Sequence, residues 1–549
     1  MERGVMYDFI VVGAGAAGCV LAARLSENPS TRVLLLEAGG SDRSTSVRIP
    51  AAFAKLFGTS RDWDDRTLPQ RELGGRALRW PRGRMLGGST SMNAQMYVRG
   101  QAADFAAWEA AGATGWGWDD VQPWFHRVEG GTVAGGTLGR SGPLSVSAQR
   151  DPSPLSAAFL EAAQQCQIPA GDPNDRSAAG VALAPVTQRD GRRCSAADAY
   201  LRPALRRRNL VVRTGTTVRR IVVRDGRAVG VEVADRSGSG DLLLARREVV
   251  LAAGAIGSPH LLLRSGIGPA DHLRAVGVPV VADLPAVGAN LADHLMAITV
   301  RLTDTPVSLA SAESIPNLLR YLLFRRGPLT SNVAEALALT HADPPAGGPA
   351  DIELVFAPVP YLDHGATRPP GHGFSVGAVL LQPRSTGTVR LQAVDPLAPP
   401  LIDPGYLTDA DGHDLATLVR GVRLAHRVLD APAFARYDAC PLRPAPGEHD
   451  LIRFVRDQAE TIYHPVGTCR MGAGPDSVVD PDLRVHGIEG LRVADASIFP
   501  RIIRGHPAAA TMMIGERAAA SLIGSVPPIV RPSATPRTAA SGREVVGPW

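Results

Sequence analysis

Residues 7–37 follow a pattern that narrows the choice of fold more than any other part of the chain. Residues 7–12 are short, apolar and β-branched, and the segment Gly13-Ala14-Gly15-Ala16-Ala17-Gly18 follows them directly. Residues 19–25 suit a helix, and residues 31–36 suit a second strand that ends at Glu37. Strand, glycines, helix, strand and acid in this order predict a Rossmann-type unit that binds a dinucleotide.

Each glycine of this segment has a different expected task. Gly13 permits the tight turn, Gly15 lets the backbone approach a pyrophosphate, and Gly18 lets the helix pack close to the strand. The helix start at Ala16 and Ala17 offers unpaired N–H groups to the phosphates. Glu37 is placed to accept hydrogen bonds from ribose hydroxyls, which argues against a 2′-phosphate. FAD and NAD share this pattern, and these residues alone do not separate them.

Composition excludes several other classes of protein. The 549 residues are 45% hydrophobic and 20% charged, which is typical of a soluble chain with several domains. The net charge of +5 comes from scattered arginines, since Lys55 is the single lysine, and no basic face predicts a nucleic-acid partner. The five cysteines show no disulfide or metal spacing. Without a basic leader segment or a long apolar span, we expect a cytoplasmic protein with no transmembrane segment.

Three further segments separate FAD from NAD. Residues 83–93 are rich in glycine and hydroxyl side chains, and residues 254–268 follow an apolar strand at 249–252. The third segment contains His464, Asp495 and His506. Together these blocks resemble the glucose-methanol-choline (GMC) family of FAD-dependent oxidoreductases, and broadly its choline-dehydrogenase-like members, over residues 6–525.

The resemblance implies a mixed α/β (α+β) fold. A Rossmann-like FAD-binding domain would take residues 1–300, with about 150–190 inserted toward the substrate side. A substrate domain with an antiparallel sheet would follow at 301–455, with residues 374–381 and 387–392 as neighbouring strands. Residues 456–525 would return to the FAD domain with the catalytic segment. Residues 526–549, rich in proline, serine and threonine, are expected to be a flexible tail.

The resemblance also implies which residues hold FAD. The expected contacts come from the nucleotide unit, the 83–93 loop, an adenine-binding strand and the C-terminal region. They are Gly13, Gly15, Ala16, Ala17, Gly18, Glu37, Ala38, Arg84, Gly87, Gly88, Ser89, Asn93, Met96, Val218, Ala253, Gly254, Asp495, Ala496 and Pro507. Some members of the family bind FAD covalently through a histidine just before the asparagine of this loop. Met92 stands there in this chain, so we expect FAD to be held non-covalently.

Two of the thirteen histidines match the catalytic positions of the family. His464 matches its general base, and with an ordinary pKa near 6.5 it would accept a hydroxyl proton around neutrality. His506 matches the partner that hydrogen-bonds the substrate oxygen. The implied reaction is FAD-dependent oxidation of an alcohol to an aldehyde or ketone by hydride transfer to flavin N5.

An FAD-containing lyase of the hydroxynitrile lyase type, on the same fold, is the alternative function. The expected partners of the leading function are a small alcohol and an electron acceptor, which is oxygen, a quinone or another redox partner. The residues favour none of these acceptors, name no particular alcohol, and leave the oligomeric state open.

Overall fold

The computed structural model describes residues 6–133, 136–234, 240–344, 347–395 and 398–524. The predicted tail at 526–549 lies outside these residues. Two seven-stranded sheets dominate the fold, one mostly parallel and one antiparallel. This confirms the predicted mixed α/β class with a Rossmann-like unit and a second, antiparallel sheet.

The first sheet contains the predicted nucleotide-binding unit. Its strands, in spatial order, are Leu210–Arg213, Val33–Leu36, Met6–Val12, Gly240–Leu251, Arg227–Ala234 and Val218–Arg224, with Leu491–Val493 pairing beside Gly240–Leu251. The two strands beside Met6–Val12 run parallel to it, and its residues 7–12 are buried. Burial on both faces explains why this strand reads as a continuous apolar run rather than an alternating one.

The second sheet has one face in the core and one face toward a cavity. Its strands, in spatial order, are Cys440–Arg443, Leu295–Thr303, His372–Leu380, Ile352–Ala357, Ala336–Thr340 and Gly180–Leu183, with Glu460–Thr461 beside Leu295–Thr303. Alternate residues divide between the faces. Ile352, Leu354 and Phe356 pack into the core, whereas Val355 and Ala357 line the cavity.

Helices cover both sheets and connect their strands. The longer helices are Ala16–Leu25, Ala102–Ala110, Trp118–Val128, Pro154–Gln165, Gly254–Arg264, Ala270–Ala275, Ile315–Phe324, His413–Leu429, Leu451–Gln458 and Pro507–Leu522. Shorter helices are Thr45–Arg48, Arg202–Ala204 and Pro432–Ala435, with a π-helix at Ala197–Leu201 and a 3₁₀ helix at Pro50–Leu56. Among the residues described, no helix combines the length and apolar composition needed to span a bilayer.

Small strand pairs complete the fold at its edges. They are Asp65–Arg66 with Arg79–Trp80, Glu129–Gly131 with Leu144–Val146, Gln188–Arg189 with Arg192–Arg193, Ile267–Gly268 with Ala282–Asp283, and Thr388–Arg390 with Leu401–Asp403. The last pair corrects one prediction. Residues 374–381 and 387–392 are not neighbouring strands, because the Asp414 carboxylate binds the backbone N–H groups of Arg384 and Ser385 and turns the chain away.

The predicted boundary at residue 300 falls inside a strand. The strand Leu295–Thr303 crosses it and belongs entirely to the second sheet, because it pairs with His372–Leu380 along its length. The C-terminal segment contributes to both sheets, since Glu460–Thr461 joins the second and Leu491–Val493 the first. This segment therefore connects the two sheets at the place where His464 lies.

The last helix fixes the position of His506. Pro507–Leu522 packs against Ala16–Leu25, and its Gly515 allows the approach, because a Cβ there would lie 2.9 Å from Val20. The buried Glu516 carboxylate accepts hydrogen bonds from Arg24 and from the Tyr200 hydroxyl. His506 immediately precedes this anchored helix.

Candidate active site

One continuous cavity of about 630 Å³ joins the predicted nucleotide site to the two predicted catalytic histidines. Gly15 and Glu37 line it on the side of the first sheet, and Met296 and Val355 line it on the side of the second sheet. His464 and His506 line the same cavity. A cavity shared by two sheets in this way suits a ligand that has one bound end and one reacting end.

The glycines of the nucleotide unit are required by close approaches of the backbone. Gly13 has a φ of +100°, and a Cβ there would lie 2.5 Å from the Ala252 carbonyl oxygen. A Cβ at Gly18 would lie 1.8 Å from the Gly13 carbonyl oxygen, so helix and strand pack as the sequence predicts. At Gly15 a Cβ would meet only the Ala252 carbonyl oxygen, at 3.8 Å, and Gly15 lines the cavity where a pyrophosphate is expected.

Most of the predicted cofactor residues line this cavity. They are Gly13, Gly15, Ala16, Ala17, Glu37, Ala38, Arg84, Gly88, Ser89, Asn93, Met96, Val218, Ala253, Gly254, Asp495, Ala496 and Pro507. Gly18 and Gly87 do not line it. Gly18 allows the close packing described above, and Gly87 shapes the loop, because its N–H donates to the Ala14 carbonyl and its φ is +86°.

Two acids at the nucleotide end have different surroundings. Glu37 accepts hydrogen bonds from the N–H groups of Ala14, at 2.9 Å, and Gly39, at 2.8 Å, and burial raises the pKa of its carboxyl. Asp495 accepts from the N–H of Gly254 at 2.9 Å and from the Ser258 hydroxyl at 2.5 Å. The Asp495 carboxylate therefore links the C-terminal segment to the first turns of the helix Gly254–Arg264.

The residues present fit FAD. The backbone at Gly15 leaves room for a phosphate beside a helix start, and Glu37 lies where a ribose is expected. Arg84 lines the cavity, and its buried Nε has no hydrogen-bond partner within the described residues, so it remains a donor for a bound group. The strand residue Val218 lines the same end, at the predicted adenine position.

The backbone of His464 is held by a buried carboxylate. The Oδ1 atom of Asp293 accepts from the His464 N–H at 2.7 Å. The Oδ2 atom accepts from the Thr461 hydroxyl at 2.6 Å and from the Tyr406 hydroxyl. Burial raises the pKa of Asp293 to about 6, and these hydrogen bonds oppose the increase. The Asp293 side chain therefore ties two residues of this loop, Thr461 and His464, to Tyr406.

The residue before His464 has an unusual backbone conformation. Tyr463 has a φ of +69°, in the left-handed region that residues other than glycine rarely adopt. Its N–H donates to the Thr461 hydroxyl at 2.7 Å, and Arg82 Nη1 donates to its carbonyl at 2.8 Å. Its hydroxyl also contacts His364 Nδ1. These contacts hold the strained residue in place beside the candidate base.

A chain of hydrogen bonds determines which nitrogen of His464 carries the proton. His294 Nε2 lies 3.1 Å from the Leu381 carbonyl oxygen, which can only accept, so this nitrogen is the donor. Burial lowers the pKa of His294 to about 3, so the ring is neutral and its Nδ1 is an acceptor. His464 Nδ1 lies 2.9 Å from that acceptor and must donate to it. The lone pair of His464 is therefore on Nε2.

The expected ordinary pKa of His464 is wrong. Burial, with smaller contributions from His506, His294 and Arg82, lowers the pKa of His464 well below 6.5. The sequence suggested an unperturbed side chain because it does not show how deeply a loop residue is buried. The imidazole is therefore neutral, with an available lone pair, across the physiological range.

His506 has a different electrostatic environment. The His464 and His506 ring centroids lie 4.8 Å apart, with the planes at 71°. His506 Nε2 donates to Oε1 of Glu353 at 3.0 Å, and the Glu353 side chain is fully buried. The second oxygen, Oε2, has no partner within the described residues. A buried carboxylate is therefore bonded to the imidazole of His506.

Sequence analysis missed three residues of this site, namely Asp293, His294 and Glu353. The polar pair Asp293-His294 directly before an apolar strand is a signal that was available. Glu353 offers none, because it follows Ile352 and precedes Leu354 in a strand whose alternation predicts an ordinary polar face. Alternation places Glu353 on the same face as Val355 and Ala357, and the sequence does not show that this face borders the cavity rather than solvent.

Comparisons with known proteins agree with this geometry. The family model for GMC oxidoreductases matches residues 7–296, and its C-terminal counterpart matches residues 383–515. A GMC-type oxidoreductase of Mycobacterium tuberculosis is 47% identical over 522 residues, covering 93% of this chain and 98% of that protein.

Two named relatives and one solved structure are also similar over nearly the full length. The "Alcohol dehydrogenase [acceptor]" of Pseudomonas putida is 39% identical, covering 95% of this chain and 96% of that protein. An "Oxygen-dependent choline dehydrogenase" of Rhizobium etli is 40% identical, covering 98% and 100%. The crystal structure of pyridoxine 4-oxidase from Mesorbium loti superimposes with a TM-score of 0.85 at 36% identity, covering 93% and 98%.

The fold, the cavity and these matches lead to one conclusion. The residues that fit FAD and the pair of histidines occur together in one cavity, as the resemblance in the sequence implied. Membership of the family confirms FAD as the cofactor and oxidoreduction as the class of activity. The chain belongs to the GMC oxidoreductase family.

Proposed function

We propose that this enzyme oxidises an uncharged, largely apolar alcohol to the corresponding carbonyl compound. The observation that carries the proposal is the pair formed by His464 and His506 in the cavity, with a neutral His464 whose lone pair is on Nε2. Alcohol oxidation needs a base for the hydroxyl proton and a group that stabilises the oxygen as it becomes an alkoxide. His464 is neutral and suits the first task, and His506, which is bonded to a carboxylate, suits the second.

Each histidine has one proposed task. His464 Nε2 accepts the hydroxyl proton, and Asp293 and His294 hold its ring in the required orientation and tautomer. His506, which Glu353 holds through Nε2, hydrogen-bonds the substrate oxygen through Nδ1. FAD, when bound, supplies the acceptor for the hydride that leaves the carbon as the C=O bond forms.

The second sheet supports an apolar substrate. The residues of this sheet that line the cavity carry no charge, and they are Met296, Ile298, Val355, Ala357, Ser375 and Gly377. Among the described residues, the acids that line the cavity are Glu37, Asp65 and Asp495. Glu37 and Asp495 lie with the nucleotide-binding residues, and Asp65 is beside Arg82. The carboxylate of Glu353 in the same sheet is fully buried, bonded to His506 and not part of the cavity lining. A quaternary ammonium group would therefore meet no carboxylate among the residues of the second sheet that line the cavity.

The relatives named above are oxidoreductases, and they differ in substrate and acceptor. One is named an alcohol dehydrogenase with an unspecified acceptor, and another an oxygen-dependent choline dehydrogenase. For this chain, the uncharged residues of the second sheet that line the cavity favour an uncharged alcohol over choline. We find nothing in the relatives or the cavity that favours the lyase alternative, which we therefore do not propose.

A pair of isosteric alcohols tests this proposal. The oxidised holoenzyme is mixed without oxygen with 3,3-dimethylbutan-1-ol or with choline, which differ in a quaternary carbon or nitrogen, and flavin absorbance is followed. We expect the neutral alcohol to reduce the flavin at least about tenfold faster, because choline must lose its hydration in an apolar pocket. Faster reduction by choline would contradict the substrate class. A flavin that stays oxidised with every alcohol would contradict the reaction. Reoxidation by oxygen or by a soluble quinone then identifies the acceptor.

A further inference from the structure

The helix Ile315–Phe324 exposes its apolar face to solvent. Ile315, Leu319, Leu322 and Leu323 recur at the spacing of one helix face. In a soluble helix that face packs on the core, yet here Ile315 is 75% exposed and Leu323 71%. Leu318 and Phe324 are exposed as well. A contiguous apolar surface of this kind marks an interaction site.

A single residue of the helix fixes its orientation. Tyr321 is the buried residue of the helix, and it packs with Ile49, Ala312 and Leu329. The Arg325 guanidinium lies 5.0 Å from the Tyr321 ring and also bonds the Tyr321 carbonyl. Because Tyr321 is held from both sides, the helix is not free to turn its leucines inward.

The charge around this face is positive. Arg320, Arg325 and Arg326 lie within residues 315–326, which contain no acid. The neighbouring acids are already paired. Glu313 lies 3.0 Å from Lys55 and 3.1 Å from Arg368.

The other neighbouring acid is Asp151. It lies 3.2 Å from Arg326 and accepts from the Gly327 N–H at 2.7 Å. The basic groups around the helix therefore exceed the acidic ones. An excess of positive charge beside exposed leucines complements a surface that is apolar inside and anionic outside.

We propose that the helix Ile315–Phe324 docks the protein on the surface of an anionic phospholipid bilayer. Ten residues extend about 15 Å, which is half of the apolar thickness of a bilayer, so the helix lies in the plane of the interface. The leucines and Phe324 enter the acyl boundary, and the arginines reach the phosphates. Self-association is disfavoured, because a twofold contact through this face would bring the same arginines together. The inference does not depend on the proposed function.

Vesicle flotation with the full-length holoenzyme tests the proposal. The probes are vesicles of pure phosphatidylcholine and vesicles of equimolar phosphatidylcholine and phosphatidylglycerol. We expect binding to the anionic vesicles that weakens at high salt. The variant Leu319→Ser/Leu322→Ser/Leu323→Ser should bind at least about tenfold more weakly, because it loses most of the apolar contact.

A second triple variant serves as the matched control. Leu205, Val281 and Ile452 are exposed to 48%, 49% and 51% on other parts of the surface. Replacing these three by serine should leave vesicle binding unchanged, and flavin absorbance checks that both variants are folded. No binding of the wild-type protein to anionic vesicles, or equal binding by the helix variant, would overturn the proposal. A wild-type dimer that the helix variant dissociates, without vesicle binding, would instead identify a self-interface.

Discussion

The proposed role of His464 depends on its neighbours as well as on its own side chain. The side chain is buried, its backbone is tied to Asp293, and its Nδ1 proton is committed to His294. A sequence motif can predict the identity of such a base, because a histidine beside a proline and a glycine matches the family. It cannot predict the tautomer, which depends on a residue 170 positions away and on the Leu381 carbonyl.

The tautomer makes a prediction about His294. His294→Ala removes the acceptor that keeps the His464 proton on Nδ1, so Nε2 is no longer reserved as the base. We expect the rate of flavin reduction to fall about tenfold to a hundredfold, which is part of the effect of a general base. His294→Asn offers an oxygen near the position of Nδ1 and should recover most of the rate. Equal rates in the two variants, measured by anaerobic rapid mixing, would argue against control of the tautomer.

The pH dependence of flavin reduction is predicted from the same surroundings. The proposed base is the neutral form of His464, and because its pKa is lowered well below 6.5, we expect the rate to stay constant as the pH falls through 6.5. An acid limb at or above pH 6.5 would contradict this. Glu353→Gln removes the carboxylate that is bonded to His506 and should slow flavin reduction, and an unchanged rate would exclude this role for Glu353.

At the scale of elements, the glycines of the 83–93 loop have a steric purpose. Gly88 has a φ of +52°, and a Cβ there would lie 2.8 Å from the Cα of Gly15. Such steric requirements are visible in the sequence as glycines. The pairing of strands in the second sheet is harder to predict from the sequence, because it joins residues that are far apart in the chain. The predicted pairing of 374–381 with 387–392 was wrong for that reason.

Gly88→Ala is expected to weaken FAD binding. The added methyl group would push the loop away from Gly15, so the purified protein should contain less flavin per chain and unfold at a lower temperature. Gly75→Ala is the matched control, because Gly75 has a φ of +76° with no atom within 4 Å of the added Cβ. It should show only the strain of a left-handed residue, about 1 kcal/mol. A normal flavin content in Gly88→Ala would show that the close approach is not needed.

At the scale of the whole molecule, the cavity depends on parts of the chain that are distant in sequence. Residues from the first 40 positions, the middle of the chain and the last described helix all line it. The order of the motifs in the sequence led us to expect that these parts come together. The exact limits of each part were not predictable, because Leu295–Thr303 and Glu460–Thr461 join the second sheet through contacts that composition does not reveal.

FAD is expected to be released intact when the whole protein unfolds. Met92 lines the cavity at the position where some relatives carry a flavin-linked histidine, and a thioether offers no nitrogen for such a bond. After acid precipitation, the yellow colour should remain in the supernatant, as measured by its absorbance. Colour retained in the protein pellet would refute non-covalent binding.

The central claim is that His464 Nε2 accepts the hydroxyl proton of the substrate. The most direct test is the rate of anaerobic flavin reduction by a saturating alcohol in His464→Asn, whose amide can still donate to His294 but offers no base at Nε2. His449→Asn, at an exposed histidine, is the control. The account predicts a fall of about a hundredfold to ten-thousandfold with a normal FAD content, and no change in the control. An unchanged rate in His464→Asn would contradict it.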